Sequence, residues 1–180
     1  PHVRDHVQAA VIDNKVYVAG GRRSTAKIGQ VLNLTESAVD VYDFKTSQWT
    51  TLPESKNLPT LRAGNASVVL GKQMLVIGGE SGEQVPAHNE VEAFNTKTQQ
   101  WETLSPLNQG RHGTGAVNIN GKIYIVAGSG NRGGGPGQHL DVAEQVPVVG
   151  RGRARCERPR WGCGGRARSG VGRGSCRCSR

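Results

Sequence analysis

Short apolar runs, rich in valine, isoleucine and tyrosine, recur through the first 128 positions with glycine, asparagine or charged residues between them. HVQAAVIDN at 6–14 leads into KVYVAGG at 15–21. NASVVLGK at 65–72 leads into QMLVIGG at 73–79, and GTGAVNING at 113–121 into KIYIVAG at 122–128. Runs this short, rich in β-branched residues and bounded by turn residues, suit strands. In the first unit they predict strands near 6–12, 15–19, 39–43 and 48–52. Asn14, Gly71 and Asn120-Gly121 supply the positive φ angles of the tight turns between first and second strands. No run of helical period is long enough to form a helix. The prediction is an all-β chain built from repeated four-stranded antiparallel sheets.

The repeat extends beyond the strand pairs. An arginine opens each unit, at Arg4, Arg62 and Arg111, and the distance to Gly20, Gly78 and Gly128 is 16, 16 and 17 positions. AVDVYDFKTSQWTTL at 38–52 aligns without a gap on EVEAFNTKTQQWETL at 90–104. Tyr42 thereby matches Phe94, and Trp49 matches Trp101 at a spacing of 52. A period near 50 marks an array of supersecondary units. These features resemble kelch repeats: an opening arginine or histidine, a strand ending in Gly20-Gly21 or Gly78-Gly79, then an aromatic residue six to eight positions before a tryptophan. The resemblance covers residues 4 to 130 and implies a kelch-type β-propeller of about two and a half blades. The third unit departs from the pattern. Gly128-Ser129 stands for the double glycine, and HLDVAEQVPVVGRG holds neither the aromatic residue nor the tryptophan.

Gly128, Gly130 and Gly133 also spell G-x-G-x-x-G after an apolar run, as in a dinucleotide-binding loop. That loop needs a helix opening at its third glycine. Gly134, Gly135, Pro136 and Gly137 follow here, and glycine and proline are the poorest helix residues. The stretch reads instead as the end of a blade's second strand and a long connection. Its counterparts are the loops at 22–37 and 80–89, and all three should project from one face of the propeller.

A propeller needs at least four blades to close, and a lone repeat cannot bury its own apolar faces. The expectation is a fragment of a larger propeller, or assembly with other chains. The net charge of +9 comes from the end of the chain. Residues 1–149 carry 13 Lys and Arg against 13 Asp and Glu, whereas 150–180 carry ten arginines, Glu157 and all four cysteines. The reading divides the chain into blades at 1–140 and an Arg/Gly/Cys-rich tail at 141–180, disordered or an out-of-frame, unnatural extension. Arginine and glycine can bind RNA phosphates, but only Trp161 is there to stack on bases. The cysteine spacing C-x6-C-x12-C-x-C lacks the paired knuckles of zinc sites. No metal or cofactor is expected, and no membrane partner, since no run of about 18 apolar residues occurs. The compartment is left open.

Candidate chemistry rests on few residues. Arg4, Arg62 and Arg111 should surround the channel mouth, where forked guanidiniums suit carboxylates. The resemblance implies partner contacts at such positions; a salt bridge between blades is the alternative. Arg22, Glu80 and Glu83 are loop contacts. His6 and His112 read as packing or hydrogen-bonding residues, and Tyr42, Phe94, Trp49 and Trp101 as packing between blades. No Ser-His-Asp arrangement, paired carboxylates or phosphate loop rises above chance. The expected function is recognition of a protein or peptide, an acidic one among the options, on a propeller face. The alternative is a carbohydrate-active kelch-like enzyme with its catalytic residues outside this sequence. The cysteine-linked tyrosine of copper-radical oxidases has no counterpart, because the blades hold no cysteine.

Overall fold

A computed structural model describes residues 1–24, 31–135 and 138–148. The readings made on the tail from 149 onward lie outside the described residues. Eleven strands form three antiparallel sheets. β1 (Ala9–Ile12), β2 (Lys15–Val18), β3 (Asp40–Asp43) and β4 (Gln48–Thr51) make the first. β5 (Ala66–Leu70), β6 (Gln73–Ile77), β7 (Val91–Asn95) and β8 (Gln100–Thr103) make the second. β9 (Gly115–Ile119), β10 (Lys122–Val126) and β11 (Ala143–Val146) make the third. Within each sheet neighbouring strands are consecutive in the chain, so each is a meander. A 3-10 turn at Glu54–Lys56 is the one helical piece among the described residues. The tight turns fall where expected, with Asn14, Gly71, Asn120 and Gly121 all at positive φ.

The sheets stack as blades. β1 lies against β5 and β5 against β9, which gathers the first strands on the inner side. Side chains of a strand alternate between its two faces, and the second sheet uses both. Met74, Val76 and Phe94 pack with Ala10, Ile12, Tyr17, Val39 and Val41 of the first blade. Leu75, Ile77, Val91 and Ala93 pack with Ile123, Ile125 and Val146 of the third. A strand covered on both faces needs apolar residues at every position. That is why β6 reads as the continuous run Met74-Leu75-Val76-Ile77, all at 0% exposure. Tyr42–Trp49 and Phe94–Trp101 are the same cross-strand pair repeated, with ring centroids 5.2 and 5.1 Å apart and planes at 50° and 51°. Phe94 is fully buried beside Tyr17, whereas Trp49 is 42% exposed on the outer face of the first blade.

Two expectations about the third blade change. Its glycine pair is not Gly128-Ser129. Ala127, at φ 54°, takes the place of Gly20 and Gly78, and its carbonyl accepts from Arg111 as theirs accept from Arg4 and Arg62. The spacing from arginine is then 16 in all three blades, and Ala127-Gly128 is the turn pair. The outer half is also fuller than its missing aromatics suggest. β11 pairs with β10 from Ile123↔Val146 to Val126↔Ala143, beyond residue 140 where composition placed the end of the blades. Backbone pairing and the buried Val146 hold this strand without the Tyr–Trp or Phe–Trp cross-strand pair of the other blades. No fourth strand occurs among the described residues.

Phe94→Ala removes a ring shared by two blades and should lower unfolding free energy by about 3–5 kcal/mol. Glu102→Ala on the exposed face of β8 should change it by less than about 0.5 kcal/mol. Urea unfolding of the two variants beside the parent checks this.

Candidate functional site

The opening arginines are buried within their own blades. Arg4 donates to Asp40 Oδ2 at 2.5 Å and to the carbonyls of Gly20 and Ala38 at 2.9 and 3.0 Å. Arg62 donates to Glu92 Oε2 at 2.6 Å and to the carbonyls of Gly78, Thr60 and Val76. Arg111 donates to Glu144 Oε2 at 3.2 Å and to the carbonyls of Ala127 and Val142. Each arginine thus spans its own blade, from before the first strand to the acid that begins the third. Their side chains are 4%, 0% and 1% exposed. The guanidiniums therefore do not line the channel mouth for a partner, as the sequence reading placed them. A planar fork with five donors satisfies one carboxylate and several carbonyls together, which an ammonium cannot. The signal was present in the sequence: AVDVYDF and EVEAFNT carry an acid at the same place, and DVAEQV supplies the third.

Burial raises the Asp40 carboxyl, but the Thr51 hydroxyl, the His2 N–H and ring, and Arg4 together hold it down to about 2. Its ordinary value is 3.8. A depressed carboxyl stabilises the fold above its ordinary value, and that contribution is lost as pH falls toward 2.

The ends of the three long loops meet at one place, while residues 25–30 and 136–137 of these loops lie outside the described residues. The residue after each turn pair is Arg22, Glu80 or Ser129, and each bridges back to the residue after its blade's arginine: Asp5, Ala63 or His112. These equivalent positions draw four charged or titratable groups together. Arg22 Nη1 donates to Glu80 Oε1 at 2.6 Å, joining the first two blades. The Gly133 N–H donates to Glu80 Oε2 at 2.6 Å, joining the third. His112 Nε2 donates to the Asn131 carbonyl at 2.8 Å and lies 3.5 Å from Glu80 Oε2. Burial pushes the Glu80 carboxyl up, yet the Gly133 N–H, Arg22 and His112 outweigh it and keep the group below its ordinary value. Arg22, Glu80 and His112, with His6, Val31, Leu32, Gly113 and Gly133, line an open cleft of about 460 Å³. A second, of about 320 Å³, shares His6 and Gly113 and is also lined by Gln8 and Asn65, each just before the first strand of its blade.

The loops at 80–89 and 129–140 are zipped together. Ala87 N–H donates to the Gly130 carbonyl and Arg132 N–H to the Val85 carbonyl, at 2.8 and 2.9 Å. Arg132 Nη1 reaches the Gly82 carbonyl at 2.5 Å. Glu83 and Val85 stay exposed at the tip, while Glu80 is buried at its base.

The neck of this loop holds an arrangement the sequence reading did not find. Ser81 Oγ lies 2.9 Å from His88 Nε2, and His88 Nδ1 lies 3.0 Å from Glu90 Oε2. The His88 contact holds Glu90 down to about 2 against the opposing effect of burial. An ionised Glu90 requires a proton on Nδ1, which leaves Nε2 of a neutral ring to accept from the Ser81 hydroxyl. This is the connectivity of a hydrolase triad. Ser81 is only 3% exposed, however, so the chain of bonds fastens the ends of the loop and presents no nucleophile. It escaped notice because Ser81 and His88 meet only when 81–88 closes on itself. Among the described residues, no cluster of three or more His, Cys, Asp or Glu could hold a metal.

Meander sheets stacked around their first strands, with loops of three blades joined at one end, define blades of a β-propeller. The chain belongs to the kelch-repeat family: residues 1–132 match the KLHDC2/KLHL20/DRC7 Kelch-repeats domain. It is 28% identical over 129 residues to alpha-scruin of Limulus polyphemus, covering 70% of this chain and 13% of that protein. It is 26% identical over 135 residues to Kelch domain-containing protein 3 of Bos taurus, covering 73% and 34%. Kelch-like protein terF of Aspergillus terreus is 29% identical over 135 residues, covering 71% and 28%. The chain thus spans about a third or less of the length of these relatives. Kelch propellers commonly serve in protein interaction.

Two outcomes follow from the clasp. Arg62→Ala leaves Glu92 buried without its cation and should cost about 3–5 kcal/mol in urea unfolding. Asp40→Asn should flatten the fall in stability between about pH 4 and pH 2 relative to the parent, read as urea midpoints across that range.

Proposed function

We propose that this chain is a protein-recognition module that docks a peptide or a protein loop on the face formed by the loops at 22–37, 80–89 and 129–140. One observation carries the reading. Glu80 accepts from Arg22 of one loop and from Gly133 of another, so loops of three blades are fixed as one surface before any ligand arrives. A preorganised surface spends less of its binding free energy on ordering. Around it stand an apolar edge at Val31, a cleft bearing His6 and His112, and the exposed Glu83. An apolar side chain of the ligand meets Val31 and Leu32, and an acidic neighbour meets the exposed His6 imidazole. Arg4, Arg62 and Arg111 contribute by holding each blade rigid beneath the loops.

Selection of a random peptide library on the full chain tests this. Enriched peptides should bind at least about tenfold more weakly, about 1.4 kcal/mol, to Val31→Asp or Leu32→Asp. Their binding to Glu102→Lys, on the outer strand β8, should not change. Peptides indifferent to both loop variants would contradict the docking face. Turnover of a sugar with no peptide enriched would favour the carbohydrate-active alternative.

A further inference from the structure

His6 breaks a rule that the other two blades keep. The residue two positions after each opening arginine is His6, Gly64 or Gly113, and all three have positive φ, at 51°, 64° and 60°. Their backbones link blade to blade. The Gly64 N–H donates to the His6 carbonyl at 2.6 Å, and the Gly113 N–H to the Gly64 carbonyl at 2.9 Å. These bonds need no side chain, and glycine adopts positive φ at no steric cost. A side chain kept in the left-handed region where glycine serves elsewhere points to a use for that side chain.

The His6 side chain lines both clefts, which it shares with Gly64, Glu80, His112 and Gly113. It is therefore turned toward the second and third blades and not toward the outer face of the first. Its Nδ1 lies 2.6 Å from Asp5 Oδ1. Asp5 is held in turn by the Ser24 N–H and hydroxyl, both at 3.0 Å, and lies 3.7 Å from Arg22 Nε. Burial raises the Asp5 carboxyl, but His6 and Ser24 outweigh it and keep the group below its ordinary value. An ionised Asp5 takes the Nδ1 proton. Nε2 is then the atom left for a ligand, and a second proton can go only there.

We propose that His6 is the specificity-determining residue of the loop face: as an imidazolium it donates its Nε2–H to an acidic side chain of the docked peptide, so docking strengthens as the pH falls. The inference rests on the docking reading above and adds the contact that senses the ligand's charge. The other charged or titratable groups lining the clefts are Arg22, Glu80 and His112. Arg22 is paired with Glu80. Glu80 and Asp5, both below their ordinary values, keep their charges through the range of about pH 5 to 8 in which histidine titrates. So do carboxylates of a peptide, at about 4. His112 differs from His6 in having Nε2 spent on the Asn131 carbonyl and its ring against Gly64.

Panning one random peptide library on the full chain at about pH 5.5 and about pH 7.5, then titrating the enriched peptides calorimetrically, tests this. Peptides from the lower pH should carry Asp or Glu and bind the parent at least about fivefold more tightly there than at the higher pH. His6→Gln should bind them equally at both pH values, at the weaker of the two parent affinities. His6→Gly should lose the same affinity with a thermal midpoint no lower than the parent's, because glycine suits the positive φ; a histidine kept only for structure would lower it. Equal binding by the parent at both pH values, or a pH dependence that survives His6→Gln, overturns the inference and leaves the docking face standing. Peptides indifferent to Val31→Asp at either pH, or no peptide enriched at all, overturn both.

Discussion

A four-stranded sheet with two apolar faces cannot stand in water alone, and everything in this chain follows from that constraint. The second blade meets it fully. Its strand β6 is buried on both sides and has lost the alternation of polar and apolar residues that a half-exposed strand keeps. The flanking blades meet it on one side only. Their inner faces match those of the second blade position by position, and their outer faces keep large apolar residues in contact with solvent. Repeat, core and exposed patch are thus one pattern seen at three depths of burial.

Within a blade the buried arginine does what packing cannot. Apolar contacts hold blade to blade but leave the start of the first strand free to drift from the third. The guanidinium ties them with a carboxylate bond and with bonds to backbone carbonyls. A buried ion pair adds little over an apolar replacement of equal volume, yet losing one partner is costly. The clasp therefore fixes geometry more than it adds stability. It sets the angle at which each turn pair leaves the second strand, and so where Arg22, Glu80 and Ser129 meet at the loop face.

Much of the fold was legible because period, turn chemistry and strand composition agree. The spacing of 52 between Trp49 and Trp101 and the glycines of the hairpin turns located the blades. The third blade was misread by one position because Gly128 looked like the first glycine of the pair. Only the hydrogen bond from Arg111 to the Ala127 carbonyl shows otherwise. The arginines were found but turned the wrong way, since exposure cannot be read from spacing. Their partners Asp40, Glu92 and Glu144 sit 36, 30 and 33 positions later, after loops of unequal length. Arg22 and Glu80 were singled out separately as loop residues. That they form a pair depends on two blades standing side by side. The Ser81–His88–Glu90 chain depends on the path of one loop, which no periodicity encodes.

Native-state hydrogen exchange tests the shielding account most directly. Amides of β6 and β7, covered on both faces, should exchange only through global unfolding, while those of β4 and β9 exchange through smaller local openings. Equal protection across all three sheets, or weaker protection in β6 than in β4, would contradict it.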